Sequence, residues 1–398
     1  MSKIMFVWEL GSAYGHTTRL LATAGMLADH GHSVAIAVRE LHNLPDVLAD
    51  SRVEVFQSPV WMSSFKGAPE PPVNYPEILL RYGYHDAGCL HGLVQGWLGL
   101  YRNYRPDVIV ASHAPTALLA ARIAGVRAMT LGSCFACPPR QAPMPNMRPW
   151  MSVPEQRLAQ SEVFVLGSTN RVLLNYSARP LSVLHELFDI ADNLLCTFPE
   201  LDHYGERKDV NYCGPVFRTD LGEVVPWPAG AGKRVFVYLK AGMRDFPAIV
   251  QTIAQMEVAA IICAPGVSEQ ARAHFYGGRI YISGKPVRLD AILESCDLAI
   301  NTASTSTTAA MLLAGVPCLL LSEHLEQYLL AGCVAATGSA VVVKPDGPVP
   351  DYPELLQKTL ADVYLPIQAA RFAERHADFD PVAQQSKIAA RIMEIAAG

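Results

Sequence analysis

The sequence predicts an α/β protein built from two doubly wound domains, and three observations carry that prediction. The chain is 398 residues long, more than one compact domain usually holds. Short apolar runs alternate with stretches of helical periodicity, the pattern of parallel sheets wrapped by helices. The alternation then stops in a Gly- and Pro-containing segment, 210–227, and starts again beyond it.

The elements follow in order. Ile4–Val7 is a first strand, and a Gly-containing turn follows it. Leu20, Leu21, Ala24, Leu27 and Ala28 recur at helical spacing, and Gly31 closes that helix. Val34–Val38 has no polar residue inside, as a parallel strand covered on both faces requires. A strand at Val108–Ala111, a helix from Thr116 to Ala124 and a strand at Ala128–Leu131 come next. The stretch from Pro138 to Pro154 is too irregular for a core element and too apolar for a solvated linker. Strands resume at Val235–Leu239, Ala259–Cys263, Ile280–Ile282, Leu298–Ile300, Cys318–Leu321 and Ala340–Val343, and the tail from Val382 to Ala397 is one more helix. The expected boundaries are 1–215, 216–380 and 381–398, with the two domains facing each other across a cleft.

Composition narrows the function. Hydrophobic residues make up 51% and charged residues 17%, enough for two buried cores and the opposite of a disordered chain. A net charge of -5 argues against a nucleic-acid binder. The opening MSKIMFVWEL is too short in apolar residues for a signal peptide, and Glu9 interrupts it. The longest apolar run, around Ala309–Leu321, is broken by Gly315 and Pro317, so no integral membrane segment is expected. Nine scattered cysteines without a secretory signal read as free thiols in the cytoplasm. Cys134 and Cys137 form a C-x-x-C, but no second pair stands at similar spacing. Two buried thiols are the expectation there, and no metal. The first loop has no G-x-G-x-x-G and no acidic residue clearly ends the second strand, which argues against a nicotinamide dehydrogenase.

The most informative stretch is Asp297 to Gln327. A strand runs into Asn301, Thr302, Ala303, Ser304, Thr305, Ser306, Thr307 and Thr308, and a helix begins there. Seven of those eight side chains are hydroxyls or amides. At a helix N-terminus, open amides, hydroxyl donors and the helix dipole suit an anion such as a phosphate. Plain helix capping explains some of the same residues; their number tilts the reading toward a ligand.

This stretch resembles the donor-binding signature of the GT-B glycosyltransferases of the UDP-glycosyltransferase superfamily, which includes the bacterial antibiotic and macrolide enzymes. Their pattern reads roughly H-x-G-x-x-S/T-x-x-E, then G-V-P, then P-x-x-x-D-Q. Counted back from Gly315-Val316-Pro317, Thr307 falls on the residue that holds the diphosphate, and Glu326-Gln327 on the pair that grips the donor sugar. Thr302 and Ser304 stand where the family has His and Gly, and Ala310 replaces the Glu that holds the ribose. Lys240, at the end of the strand Val235–Leu239, stands where relatives carry Ser-x-Gly-Ser/Thr. It is the expected partner of the diphosphate, with Arg244 beside it and with Ser306 and Thr308 completing the set.

The opening GSAYGHTTRLLATAGMLADHGHSV resembles the same superfamily's G-H-x-x-P-L-L-x-L-A-x-x-L-x-x-x-G-H-x-V, with Arg19 where Pro is common. The resemblance implies that His16 is the general base on the acceptor hydroxyl, a role that suits an imidazole of pKa about 6.5. Relatives often orient that base with an Asp after the strand that corresponds to Val108–Ala111. Here Ser112-His113 stand there, and Asp107 lies at the wrong end. His113 and, on the Pro138–Pro154 loop, Trp150 are the acceptor-side candidates. A mobile, apolar loop at this point suits an apolar acceptor, although a packing loop has the same composition.

The implied activity is a metal-independent, inverting hexosyl transfer. The sugar passes from a nucleotide-diphosphate sugar to a hydroxyl of a small apolar acceptor, with no cofactor beyond that co-substrate. The family also implies a last helix that crosses back to the first domain, and it is compatible with a homodimer. The rival from another class is a catalytically silent GT-B homologue that binds or activates a partner glycosyltransferase.

Overall fold

A computed structural model describes the backbone of every residue except 12, 13, 42–51, 231, 274, 276 and 277; side chains are described for the rest, apart from 14–18. The chain divides into two compact units, Met1–Val216 with Pro381–Gly398, and Phe217–Asp380.

The first unit is a parallel sheet of β1 (Lys3–Trp8), β2 (Ser33–Val38), β3 (Val53–Gln57), β4 (Val108–Ser112), β5 (Arg127–Gly132), β6 (Ala191–Leu195) and β7 (Asn211–Tyr212). Their order is β3-β2-β1-β4-β5-β6-β7. The strand order reverses between β1 and β4, which pair in parallel with Trp8 opposite Ser112. Around the sheet lie α1 (Tyr14–Asp29), α2 (Tyr75–Leu79), α3 (Ala87–Tyr104), α4 (Pro115–Ala124) and α5 (Glu155–Asn175). Their ends are chemically marked. Asp86 caps α3 by accepting from Gly88 N at 2.8 Å and Cys89 N at 3.0 Å. Pro115 opens α4, and Gly125 closes it in the left-handed conformation, φ 67°.

The second unit repeats the plan. Its strands are β8 (Lys233–Tyr238), β9 (Val258–Cys263), β10 (Ile280–Ser283), β11 (Leu298–Asn301), β12 (Cys318–Leu321) and β13 (Ala340–Val343), in the order β10-β9-β8-β11-β12-β13. The helices are α6 (Phe246–Gln255), α7 (Glu269–Ala273), α8 (Asp290–Leu293), α9 (Thr305–Leu313), α10 (Leu325–Ala336), α11 (Tyr352–Ala361) and α12 (Tyr364–Arg375). The final helix, α13 (Pro381–Ala397), belongs to the first unit, where Ile388, Ala389, Ile392 and Ala396 join the core formed by β1, β2 and α1.

The Pro138–Pro154 stretch is fastened to the first unit. Met144 and Met147 are buried, Met147 N donates to Val73 O at 2.8 Å, and Arg148 Nε donates to Pro72 O at 2.7 Å. Met144 and Met147 thus serve packing, while Trp150 on the same stretch is half exposed. No described helix is long and apolar enough to cross a membrane.

Candidate functional site

In open α/β sheets, ligands sit beyond the carboxyl ends of the strands where the strand order reverses. In the second unit that point lies between β8 and β11, whose register pairs Tyr238 with Asn301. Three neighbouring strands therefore deliver three segments to one rim: Lys240 after β8, the hydroxyl turn after β11, and Glu323–Gln327 after β12.

The turn is built around Asn301. Its buried Oδ1 accepts from Ala303 N at 2.8 Å and from Thr308 Oγ1 at 3.0 Å. These bonds hold Ala303 at φ 58°, a conformation unfavourable for alanine. Ser304 is the N-cap of α9 but makes no side-chain capping bond, and the first helical bond runs from Thr308 N to Ser304 O at 3.0 Å. The amides of the first turn therefore have no partner inside the helix. Thr308, expected among the diphosphate ligands, is 1% exposed. With its hydroxyl committed to Asn301, it holds the turn instead of facing a ligand. Thr307 is also buried, whereas Thr302, Ser304 and Ser306 are partly exposed.

Gln327, in the first turn of α10, accepts from Glu323 N through Oε1 at 2.8 Å and donates through Nε2 to Thr302 Oγ1 at 3.3 Å. One amide thus ties the expected sugar-side residue to the expected phosphate-side residue. Glu326 lies beside it, partly exposed. The Lys240 ammonium lies 2.8 Å from Glu323 Oε2, with 55% of the lysine side chain exposed. Sequence reasoning missed Glu323, which now fills the place beside Lys240 where a phosphate was expected. Ala310, at the ribose position of the signature, is buried and offers no polar atom. Arg244 donates to Asp245 Oδ2 at 3.2 Å and to Gly347 O at 3.2 Å.

In the first unit the strand order reverses between β1 and β4, and Glu9 and His113 follow those strands directly. Glu9 is 1% exposed. Its carboxylate accepts from Thr116 N at 2.9 Å, from Ala117 N at 3.3 Å and from the Thr116 hydroxyl, at the N-terminus of α4. Burial raises its pKa to about 7, against those hydrogen bonds and the nearby Arg39 charge. His113, at φ 49°, is only 4% exposed and lies among Tyr75 and Phe135. It is part of the packed interior, not of an open acceptor wall. Trp150 is 50% exposed, with the Arg148 guanidinium 5.9 Å from its ring. His16 falls in the first turn of α1, and its side chain lies outside the described residues.

Among the described residues, one cluster has the makings of a metal site. Cys134, Asp202 and His203 bring a thiol, a carboxylate and an imidazole within 4.8 Å of one another, ligands that sequence spacing did not suggest. Asp202 is already engaged, however. Its Oδ2 accepts from Arg207 Nε and Tyr212 OH, both at 2.8 Å, and its Oδ1 from Tyr204 N at 3.0 Å. A guanidinium on the carboxylate already supplies its counter-charge.

No family model matches the chain, and no curated protein matches it by sequence. Solved structures do match its fold. The glycotransferase of kitacinnamycin is 16% identical, covering 99% of this chain and 99% of its own, with a TM-score of 0.66. Spinosyn rhamnosyltransferase SpnG is 15% identical over 100% of both chains, with a TM-score of 0.66. The glycosyltransferase VinC, solved in complex with DTDP, is 14% identical over 99% of both chains, with a TM-score of 0.65. At such identities the likeness is one of fold, and the fold is GT-B: two α/β units, each with a parallel sheet.

Proposed function

We propose that this GT-B chain is a nucleotide-sugar-dependent glycosyltransferase whose second unit binds the donor diphosphate and whose first unit binds the acceptor. One observation carries the reading: the uncapped N-terminus of α9 and the ammonium of Lys240 share the rim between β8 and β11. Helix amides, partly exposed hydroxyls of Thr302, Ser304 and Ser306, and the Lys240 ammonium, once exchanged from Glu323, supply what a pyrophosphate needs. Thr307 takes part from within the first turn. Glu326 and Gln327 receive the sugar hydroxyls, the carboxylate as acceptor and the amide as both donor and acceptor.

The first-turn residue His16 takes the proton from an acceptor hydroxyl, which attacks the anomeric carbon from the face opposite the departing diphosphate and inverts its configuration. Trp150 supplies exposed aromatic surface for an apolar acceptor. The solved proteins of like fold support a transferase reading: they are glycosyltransferases, and VinC was solved with DTDP. The reading requires no metal ion.

Calorimetry with UDP, dTDP, ADP and GDP tests the proposal. At least one should bind, and Lys240→Met should weaken it. If none binds, the donor site is refuted. Ala310 favours a second reading, because a buried alanine cannot hold a ribose hydroxyl. A chain without nucleotide affinity that co-purifies with an active glycosyltransferase is the silent partner of that enzyme.

A further inference from the structure

Cys196 and Cys213 follow β6 and β7 directly and continue their parallel register, in which Leu195 stands opposite Tyr212. Cys213 N donates to Leu195 O at 2.9 Å, so the ladder extends to this step. Neighbouring strands lie about 4.7–4.9 Å apart, within the Cα spacing of roughly 4.4–6.8 Å that a disulfide spans. Both side chains enter the same core cluster, and their sulfurs are already 3.8 Å apart. We propose that Cys196 and Cys213 form a redox-active dithiol that a hydroperoxide closes to a reversible disulfide.

The surroundings single out which sulfur reacts first. Arg19 is 5% exposed, and its Nε and Nη1 have no hydrogen-bond partner among the described residues. No carboxylate pairs with it among the described residues. An uncompensated buried guanidinium is costly, and the thiol pair lies within reach of its charge. Burial opposes ionisation of Cys196, yet a hydrogen bond from Cys213 and the Arg19 charge prevail and lower its pKa. The bond to Cys196 and burial both push Cys213 upward. Cys196 is therefore the sulfur that ionises more readily, and Cys213 the thiol that donates to it.

The chemistry balances. The Cys196 thiolate attacks one peroxide oxygen, the O–O bond breaks, and Cys196 becomes a sulfenic acid while the other oxygen leaves as hydroxide. The Cys213 sulfur then attacks the sulfenic sulfur. The S–S bond forms, the S–O bond breaks, and the thiol proton leaves with the oxygen as water. Two thiols are oxidised by two electrons, and one hydrogen peroxide becomes two waters. The product staples β7, a strand of only two residues, to β6. Nothing in this step depends on glycosyl transfer.

The test treats the full chain with hydrogen peroxide, blocks remaining thiols under denaturing conditions and maps the peptides by mass spectrometry. The expected product is a Cys196–Cys213 cross-link, 2 Da lighter than the reduced pair, that dithiothreitol reverses. In Cys213→Ser the sulfenic acid has no resolving thiol, and dimedone should tag Cys196. Two unlinked, fully alkylated cysteines in the peroxide-treated wild type would overturn the proposal, as would bridges made only to other cysteines. Dimedone labelling of Cys213 in a Cys196→Ser variant, at the same peroxide dose, would overturn the choice of nucleophile.

Discussion

Replacing Glu9 with Gln should remove a pH-dependent weakness from the first unit. The wild-type carboxyl has its pKa moved by burial from 4.5 to about 7. Below pH 4.5 both folded and unfolded chains carry the proton, and the group costs nothing. As pH rises through 4.5 the unfolded chain releases its proton while the folded chain keeps it, so stability falls. The fall ends once the folded group ionises near pH 7, and it totals roughly 3 kcal/mol. The isosteric amide fits the site. Its oxygen accepts from Thr116 N and Ala117 N, and its NH2 donates to the Thr116 hydroxyl, which in turn donates to Tyr84 OH at 3.2 Å. Urea or thermal unfolding of both proteins at pH 5 and pH 8 is the assay. The variant should gain roughly 2–3 kcal/mol over wild type between those two values, about 2–4 °C in Tm per kcal/mol. A difference between the two proteins that stays constant with pH would refute the burial argument.

Three further outcomes follow from the same geometry. Glu323→Gln frees Lys240 from its ion pair and should tighten nucleoside diphosphate binding about two- to five-fold, less at high salt, because the pair is partly exposed; calorimetry reads it. His16→Ala should lower transfer about 10²–10⁴-fold and leave nucleotide affinity unchanged, so full turnover by this variant would remove the base from His16. Arg157→Ala strips Glu77 of a two-point contact, at 2.7 and 2.8 Å, and should destabilise the first unit by about 1–3 kcal/mol in urea unfolding, since the carboxylate is buried.

The two sheets were legible because their central strands are buried on both faces and carry almost no polar residues: β1, β2, β4, β9 and β12 read directly as apolar runs. The outer strands of the first sheet obey a different rule. β3, Val-Glu-Val-Phe-Gln, is mostly exposed, β6 opens with Ala-Asp-Asn, and β7 is two residues long, so none shows a continuous apolar signal. The helix α5 buries Ser161, Glu162 and Thr169 alongside Val165 and Val172, which blurs its hydrophobic stripe. The helix α3 went unread in the sequence, although Asp86 caps it and Leu90, Leu93, Val94, Trp97, Leu98 and Tyr101 share its buried face.

The same division explains the candidate sites. A hydroxyl turn at a strand-to-helix junction is local, so the junction itself is legible in the sequence, whereas its place beside β8 comes from the sheet order. What fills that turn is not local. Thr308 turns inward because Asn301, seven residues earlier, needs a second donor for its buried oxygen. Glu323 reaches Lys240 only because β12 is placed two strands from β8. Glu9 shows the same logic in the first unit. In the sequence it merely interrupts an apolar run; in the fold it sits against the N-terminus of α4, 107 residues away, where amides and the helix dipole receive a carboxylate. A charged residue directly after a buried strand is therefore better read as a rim residue than as an interruption. By that rule Lys240 and Glu9, each just past a strand that borders the reversal in its sheet, are the charged residues to read as rim residues.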